Sequence, residues 1–72
     1  MSKGYSIIIG SPVDYEELVA YIVIGGREVA LVSQEEGKDQ LRVEFFDEPR
    51  VTDLPYEPFV AALQQAKLAL LQ

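Results

Sequence analysis

The residues of this chain that could support acid–base chemistry are carboxylates: Asp14, Glu16, Glu17, Glu35, Glu36 and Asp39. A catalytic pair needs one carboxylate in a desolvated pocket, and a chain of 72 residues has little volume in which to build one. The sequence contains no histidine and no cysteine, which removes the usual general base and the thiol nucleophile. The serines stand beside no candidate base. We therefore predict a protein that is not an enzyme and has no catalytic residues.

Neither of the two motif-like segments has the spacing of a ligand site. The segment Glu35–Asp39, EEGKD, lacks the alternating acids before a central glycine, and the terminal glutamate, that a calcium loop requires. Gly25-Gly26 does not predict a phosphate-binding loop, because no Lys-Ser/Thr pair follows and the next residues favour a strand over a helix. The sequence predicts no metal site and no cofactor.

The composition narrows the class of partner. Twelve acidic and six basic residues give a net charge of −6 at pH 7, which repels phosphate backbones, so we expect no nucleic-acid partner. No segment approaches the roughly 18 apolar residues that span a bilayer, and the N-terminal residues do not resemble a secretory signal. The lack of cysteine is compatible with a reducing compartment. These features predict one soluble, cytoplasmic domain over residues 1–72, with no membrane partner.

The strongest structural signal lies between Leu18 and Ser33. Two apolar, β-branched runs flank Gly25-Gly26, a pattern typical of a hairpin with a type I′ turn, because glycine takes positive φ without a Cβ clash. Counting outward from this turn pairs the residues of the two strands as Ile24/Arg27, Val23/Glu28, Ile22/Val29, Tyr21/Ala30, Ala20/Leu31 and Val19/Val32.

Further strands are expected on either side of the hairpin. The β-branched run Tyr5–Ile9 ends at a Gly-Ser-Pro sequence, and Leu41–Phe46 alternates at period two. Between the first strand and the hairpin, Val13–Glu17 has room for one helical turn at most, with a strand from about Leu18. Val51–Thr52 could form a brief extended piece.

The last segment, Glu57–Leu71, predicts the only helix. It has one narrow apolar stripe at helical spacing, formed by Phe59, Leu63, Ala66 and Leu70. The order β-β-β-β-α with short connections therefore predicts an α+β fold: a three- to four-stranded antiparallel β-sheet with one C-terminal helix packed on one face.

The predicted register divides the sheet into two faces. The helix is expected to cover the face formed by Ala20, Ile22, Val29, Leu31, Leu41, Val43 and Phe45. The opposite face, here called the second face, is more apolar than a solvated sheet face. It carries Val19, Tyr21, Val23, Ala30, Val32 and Phe46, and only Glu28, Arg42 and Glu44 interrupt it. Leu68 points away from the helical stripe and joins the apolar residues of this face as a candidate interface, since contiguous exposed apolar surface marks interaction sites.

Two explanations of the second face remain open at this stage. Either Tyr5–Ile9, Pro12–Glu17 or the 47–55 loop folds over it, or it binds a second copy of the chain or another protein. The remaining possibility is that the strands pair in a register other than the predicted one.

The sequence therefore predicts a small acidic, non-enzymatic protein-interaction module. One version binds a basic protein, as an antitoxin- or immunity-type inhibitor does, through an acidic patch of Glu16, Glu17, Glu35, Glu36 and Asp39. The alternative is a structural or regulatory homodimer formed through the second face.

Overall fold

The central hairpin forms at the predicted glycine pair in the computed structural model, which describes residues 4–46 and 53–71. Strand β2 (Val19–Ile24) and strand β3 (Arg27–Ser33) flank the turn, and Ile24 pairs with Arg27. The φ angles of Gly25 and Gly26 are 59° and 83°, so both central residues have the positive φ of a type I′ turn. The predicted turn is confirmed.

Two further strands complete one antiparallel sheet. Strand β1 (Tyr5–Gly10) pairs with β2, and strand β4 (Arg42–Phe45) pairs with β3, which gives the order β1-β2-β3-β4. Helix α1 (Tyr56–Leu70) follows. The predicted α+β class, with a four-stranded antiparallel sheet and a C-terminal helix, is confirmed.

The predicted register of the hairpin is correct only next to the turn. Val23 pairs with Glu28 as expected, but a β-bulge follows and Ile22 pairs with Ala30, so that Val29 is an extra residue in β3. The remaining pairs are Tyr21/Leu31 and Ala20/Val32. Both Val29 and Ala30 are buried in the core, at 3% and 0% exposure, so the bulge adds a side chain to the helix-covered face.

The bulge reverses part of the predicted face assignment. Ala30 and Val32 lie on the helix-covered face with Ile22 and Ala20, so their predicted place on the second face is wrong. The predicted place of Leu31 under the helix is also wrong, since Leu31 lies on the second face. The bulge does not affect the other face assignments, and these are correct. Val19, Tyr21, Val23 and Phe46 lie on the second face, and Val43 and Phe45 lie on the helix-covered face.

Helix α1 begins directly after Pro55, one residue before the predicted start. Its buried positions are Ala62, Ala66 and Leu70, and Phe59 and Leu63 pack against the same core, as the stripe predicts. The two alanines have no exposed surface, because their small side chains let the helix lie close to the sheet. Leu68 is 60% exposed, so its predicted outward position is correct.

The connection between β1 and β2 contains a turn and no helix. The backbone N–H of Tyr15 donates to the carbonyl of Pro12 at 3.1 Å, which closes a β-turn over residues 12–15. The helical turn allowed over Val13–Glu17 is therefore a β-turn, and the following strand begins at Val19. The extended piece predicted at Val51–Thr52, and most of the 47–55 loop, lie outside the described residues.

Candidate interaction surface

Two connections meet at one end of the sheet. Residues 11–18 join β1 to β2 and residues 34–41 join β3 to β4, and alternate connections of an antiparallel meander lie at the same end. They contain six exposed acidic residues, and the five other than Asp39 are here called the acidic end surface: Asp14, Glu16, Glu17, Glu35 and Glu36. All five residues of the predicted acidic patch lie in these two connections.

Glu35 ties the two connections to each other. Its Oε1 and Oε2 accept the backbone N–H groups of Glu16 and Glu17, at 3.0 and 2.8 Å. Next to it, Nε2 of Gln34 donates to the carbonyl of Leu18 at 3.0 Å. These three bonds fix one connection against the other, so the carboxylates of Glu16 and Glu17 project from a braced backbone.

The other predicted acids differ in their surroundings. Glu36 forms an ion pair with Arg42 at 3.3 Å, in which both side chains are more than half exposed. Asp39 lines an open cleft of about 650 Å³ beside Lys38 and Lys67. The nearby positive charges distinguish Asp39 from the acidic end surface, and its predicted role in an acidic patch stays a prediction.

Apolar side chains stand among the carboxylates. Val13 is 100% exposed and Leu18 is 49% exposed, and both belong to the same 11–18 connection as Asp14, Glu16 and Glu17. The sequence interpretation overlooked both residues, although two large apolar side chains in an otherwise polar loop were a usable signal. A surface that combines charged residues with exposed apolar side chains has the composition of a protein interface.

The 11–18 connection also covers part of the second face. The hydroxyl of Tyr15 donates to Glu44 of β4, with both carboxylate oxygens at 3.0 Å, and Glu44 pairs with Leu31 on the second face. Beneath this contact Val19 and Leu31 are buried, at 0% and 5% exposure. The possibility that Pro12–Glu17 folds over the second face is realised at this end of the sheet.

Aromatic rings fill the middle of the second face. The rings of Tyr21 and Phe46 stack with centroids 6.3 Å apart. Gly10 lies on the other side of the Tyr21 ring. A Cβ atom at Gly10 would be 2.7 Å from Cε2 of Tyr21, so the ring occupies the space that a side chain at position 10 would need. Apolar surface remains on this face at Ile8, which is 49% exposed, and at the partly exposed Tyr21, Val23 and Phe46.

The acid–base equilibrium of Tyr15 is displaced by its surroundings. The hydrogen bond to Glu44 raises the pKa of the Tyr15 phenol above 10.0, and partial desolvation and the negative charge of Glu44 act in the same direction. The shift stabilises the protonated hydroxyl that donates the bond, which is a structural effect rather than a preparation for proton transfer at neutral pH.

In the ranges 4–46 and 53–71, no group of three or more acidic side chains is arranged to hold a metal ion. In the same part of the chain, α1 falls short of the length and apolarity that a membrane-crossing helix needs.

Comparisons with known proteins identify no relative. No family model matches the chain, and no curated protein or solved structure matches it significantly.

Proposed function

We propose that this chain is a non-enzymatic protein-interaction module that binds a basic protein through the acidic end surface. The supporting observation is that the Glu35 carboxylate accepts hydrogen bonds from the backbone N–H groups of Glu16 and Glu17. These bonds fix the backbone of two exposed acidic residues that directly precede the exposed Leu18. A braced surface loses less conformational entropy on binding than a flexible loop. The net charge of −6 favours encounter with a positively charged protein.

The partner class follows from the same surface. Carboxylates and exposed apolar side chains in one connection suit a partner surface that combines lysine and arginine with apolar side chains, as at a basic active site that an antitoxin- or immunity-type inhibitor would cover. Because the chain lacks cysteine, a reducing compartment suits it, and we propose a cytoplasmic location.

The alternative prediction, a homodimer formed through the second face, has less surface to use than the sequence suggested. Of its predicted interface residues, Ala30 and Val32 belong to the helix-covered core and Val19 is fully buried. Tyr21, Val23 and Phe46 retain partial exposure. We therefore favour the acidic end surface as the binding site.

A matched pair of variants tests the proposal. Glu16→Gln/Glu17→Gln removes two charges from the acidic end surface and keeps the backbone N–H groups that Glu35 accepts. Glu28→Gln/Glu57→Gln removes the same charge from exposed positions in β3 and α1. In affinity capture from the source cell, the first variant should recover markedly less of a basic partner than the wild type, with stronger recovery at low salt than at high salt. Equal recovery by both variants, or no partner at either salt concentration, contradicts the proposal.

A further inference from the structure

Strand β4 forms one edge of the sheet in the part of the chain that the structure describes. β4 is the last strand of the sheet, and no strand of the described residues pairs with its outer side. All four of its residues are exposed, including Val43 at 41% and Phe45 at 56%. An exposed strand edge can pair with another strand, and the side chains at that edge decide which partner fits.

The backbone groups available at this edge can be assigned. The N–H of Phe46 donates to the carbonyl of Val29 in β3 at 3.3 Å, so the backbone groups of Phe46 point inward. Because the direction alternates along an antiparallel strand, Glu44 and Arg42 also direct their backbone groups to β3. Val43 and Phe45 therefore direct their N–H and C=O groups outward.

The side chains along this edge are self-complementary. In the sequence Leu41-Arg42-Val43-Glu44-Phe45, apolar residues alternate with one positive and one negative charge around Val43. A two-fold axis through Val43 would pair Val43 with itself, Arg42 with Glu44 of the second copy, and Leu41 with Phe45 of the second copy. Residues that pair in this way lie on one face, so the charges would meet on the second face and the apolar side chains on the helix-covered face.

We propose that two copies of this chain associate through β4 in this register, forming one continuous eight-stranded antiparallel sheet. The Val43 pair would exchange two hydrogen bonds through the outward backbone groups. A shift of the axis to Arg42 or to Glu44 would place identical charges opposite each other, and a shift to Phe45 would place Glu44 opposite Phe46. The axis at Val43 is therefore the one that pairs Arg42 with Glu44. Arg42 can take part because its pair with Glu36 is exposed, and a guanidinium group has five N–H donors.

The other edge of the sheet has no comparable pattern. Strand β1, YSIIIG, has no charged residue that would select one register over another. Helix α1 also packs beside this strand, where Gln65 and Ala69 line a groove with Ile7 and Ile9. Charge complementarity therefore distinguishes β4 as the edge that fits a second copy of the chain.

A charge exchange tests the register. Sedimentation equilibrium of the full chain, from micromolar to millimolar concentration, should show the wild type approaching twice the mass of one chain. Arg42→Glu replaces each Arg42–Glu44 pair of the dimer with two facing carboxylates, and we expect the dissociation constant to rise about tenfold or more. Adding Glu44→Arg to this variant exchanges the two charges and should restore dimerisation. Within one chain, the exchanged variant cannot re-form the Tyr15–Glu44 hydrogen bond or the Arg42–Glu36 ion pair. Restored dimerisation would therefore show that positions 42 and 44 pair between the two copies.

Two single proline variants test the β4 pairing even if the charge variants fold poorly. Val43→Pro removes an outward N–H, which an edge strand tolerates, and should yield a folded monomer by circular dichroism and sedimentation. Ile9→Pro makes the same change at the outer edge of β1, where alternation along the sheet also directs the N–H outward, and should leave the dimer intact.

Three outcomes would overturn the β4 pairing: a wild type that is monomeric at millimolar concentration, a dimer that Val43→Pro leaves unchanged, and an exchanged variant that stays as weak as Arg42→Glu. Because the two β4 strands would run antiparallel, the acidic end surfaces of the two copies would lie at opposite strand ends of the shared sheet. Binding of a basic protein therefore does not require the dimer, and either proposal can fail alone.

Discussion

The phenol of Tyr15 donates a hydrogen bond to the carboxylate of Glu44, 29 positions later in the chain, with both carboxylate oxygens 3.0 Å from the hydroxyl. This contact attaches the 11–18 connection to β4 and closes one end of the second face above Val19 and Leu31. It therefore links the acidic end surface to the strand that we propose as the dimer edge.

The Tyr15–Glu44 contact predicts a loss of stability at alkaline pH. The pKa of Tyr15 in the folded protein is raised above the ordinary value of 10.0, so its stabilising contribution is complete below pH 10 and is lost as the pH rises through the folded-state pKa. Tyr15→Phe should be less stable than the wild type at neutral pH, and the difference should shrink above pH 10. Urea unfolding at a series of pH values measures both effects.

Ultraviolet titration of the tyrosines gives an independent check. Glu44→Gln replaces the charged acceptor, so Tyr15 should ionise at lower pH than in the wild type. An unchanged titration curve in this variant would show that Glu44 does not raise the pKa of Tyr15.

Glu35 is predicted to matter more for stability than its neighbour Glu36. Glu35→Ala removes the acceptor of two backbone N–H groups and should lower the free energy of unfolding by about 1 kcal/mol. Glu36→Ala removes the same charge but only an exposed ion pair, and should cost less than about 0.5 kcal/mol. In Glu35→Ala, the amide hydrogens of Glu16 and Glu17 should also exchange faster. Equal destabilisation by the two variants would contradict the structural role of Glu35.

Gly26 is predicted to be required for its backbone conformation alone. Its φ is 83°, and a Cβ atom there would have no neighbour within 4 Å. Gly26→Val should therefore destabilise the protein by about 1–2 kcal/mol through backbone strain. Gly26→Asn is the matched control, since asparagine adopts positive φ more readily, and it should cost clearly less. Thermal unfolding compares the stabilities of the two variants. Equal losses of stability would show that the positive φ at position 26 is not the cause.

Gly10 is predicted to be required for space. Gly10→Ala would put a Cβ atom 2.7 Å from the Tyr21 ring and displace the ring from Phe46, at a cost of about 1 kcal/mol. In a Tyr21→Val background the ring is absent, so the same alanine should be nearly neutral. A double-mutant cycle by urea denaturation measures this coupling. Additive effects of the two substitutions would rule out the steric explanation.

The elements of the fold were predictable because their signals are local. The glycine pair, the alternation of Leu41–Phe46 and the stripe from Phe59 to Leu70 each depend on a few neighbouring residues. The bulge at Val29 was not predictable from such signals, because it places one more apolar side chain in a core formed by distant residues, among them Ala62 and Ala66. A shift of one residue then exchanged the faces of Ala30 and Leu31.

The candidate site was predictable in composition but only partly in arrangement. The sequence alone determined the acidic character, the lack of histidine and cysteine, and the positions of the acids in two loops. Only the tertiary structure decided that Glu35 braces Glu16 and Glu17, that Asp39 lies beside two lysines, and that Tyr15 reaches Glu44. The physical reason is that propensity and periodicity act over a few residues, whereas these contacts depend on how the sheet brings separate connections together.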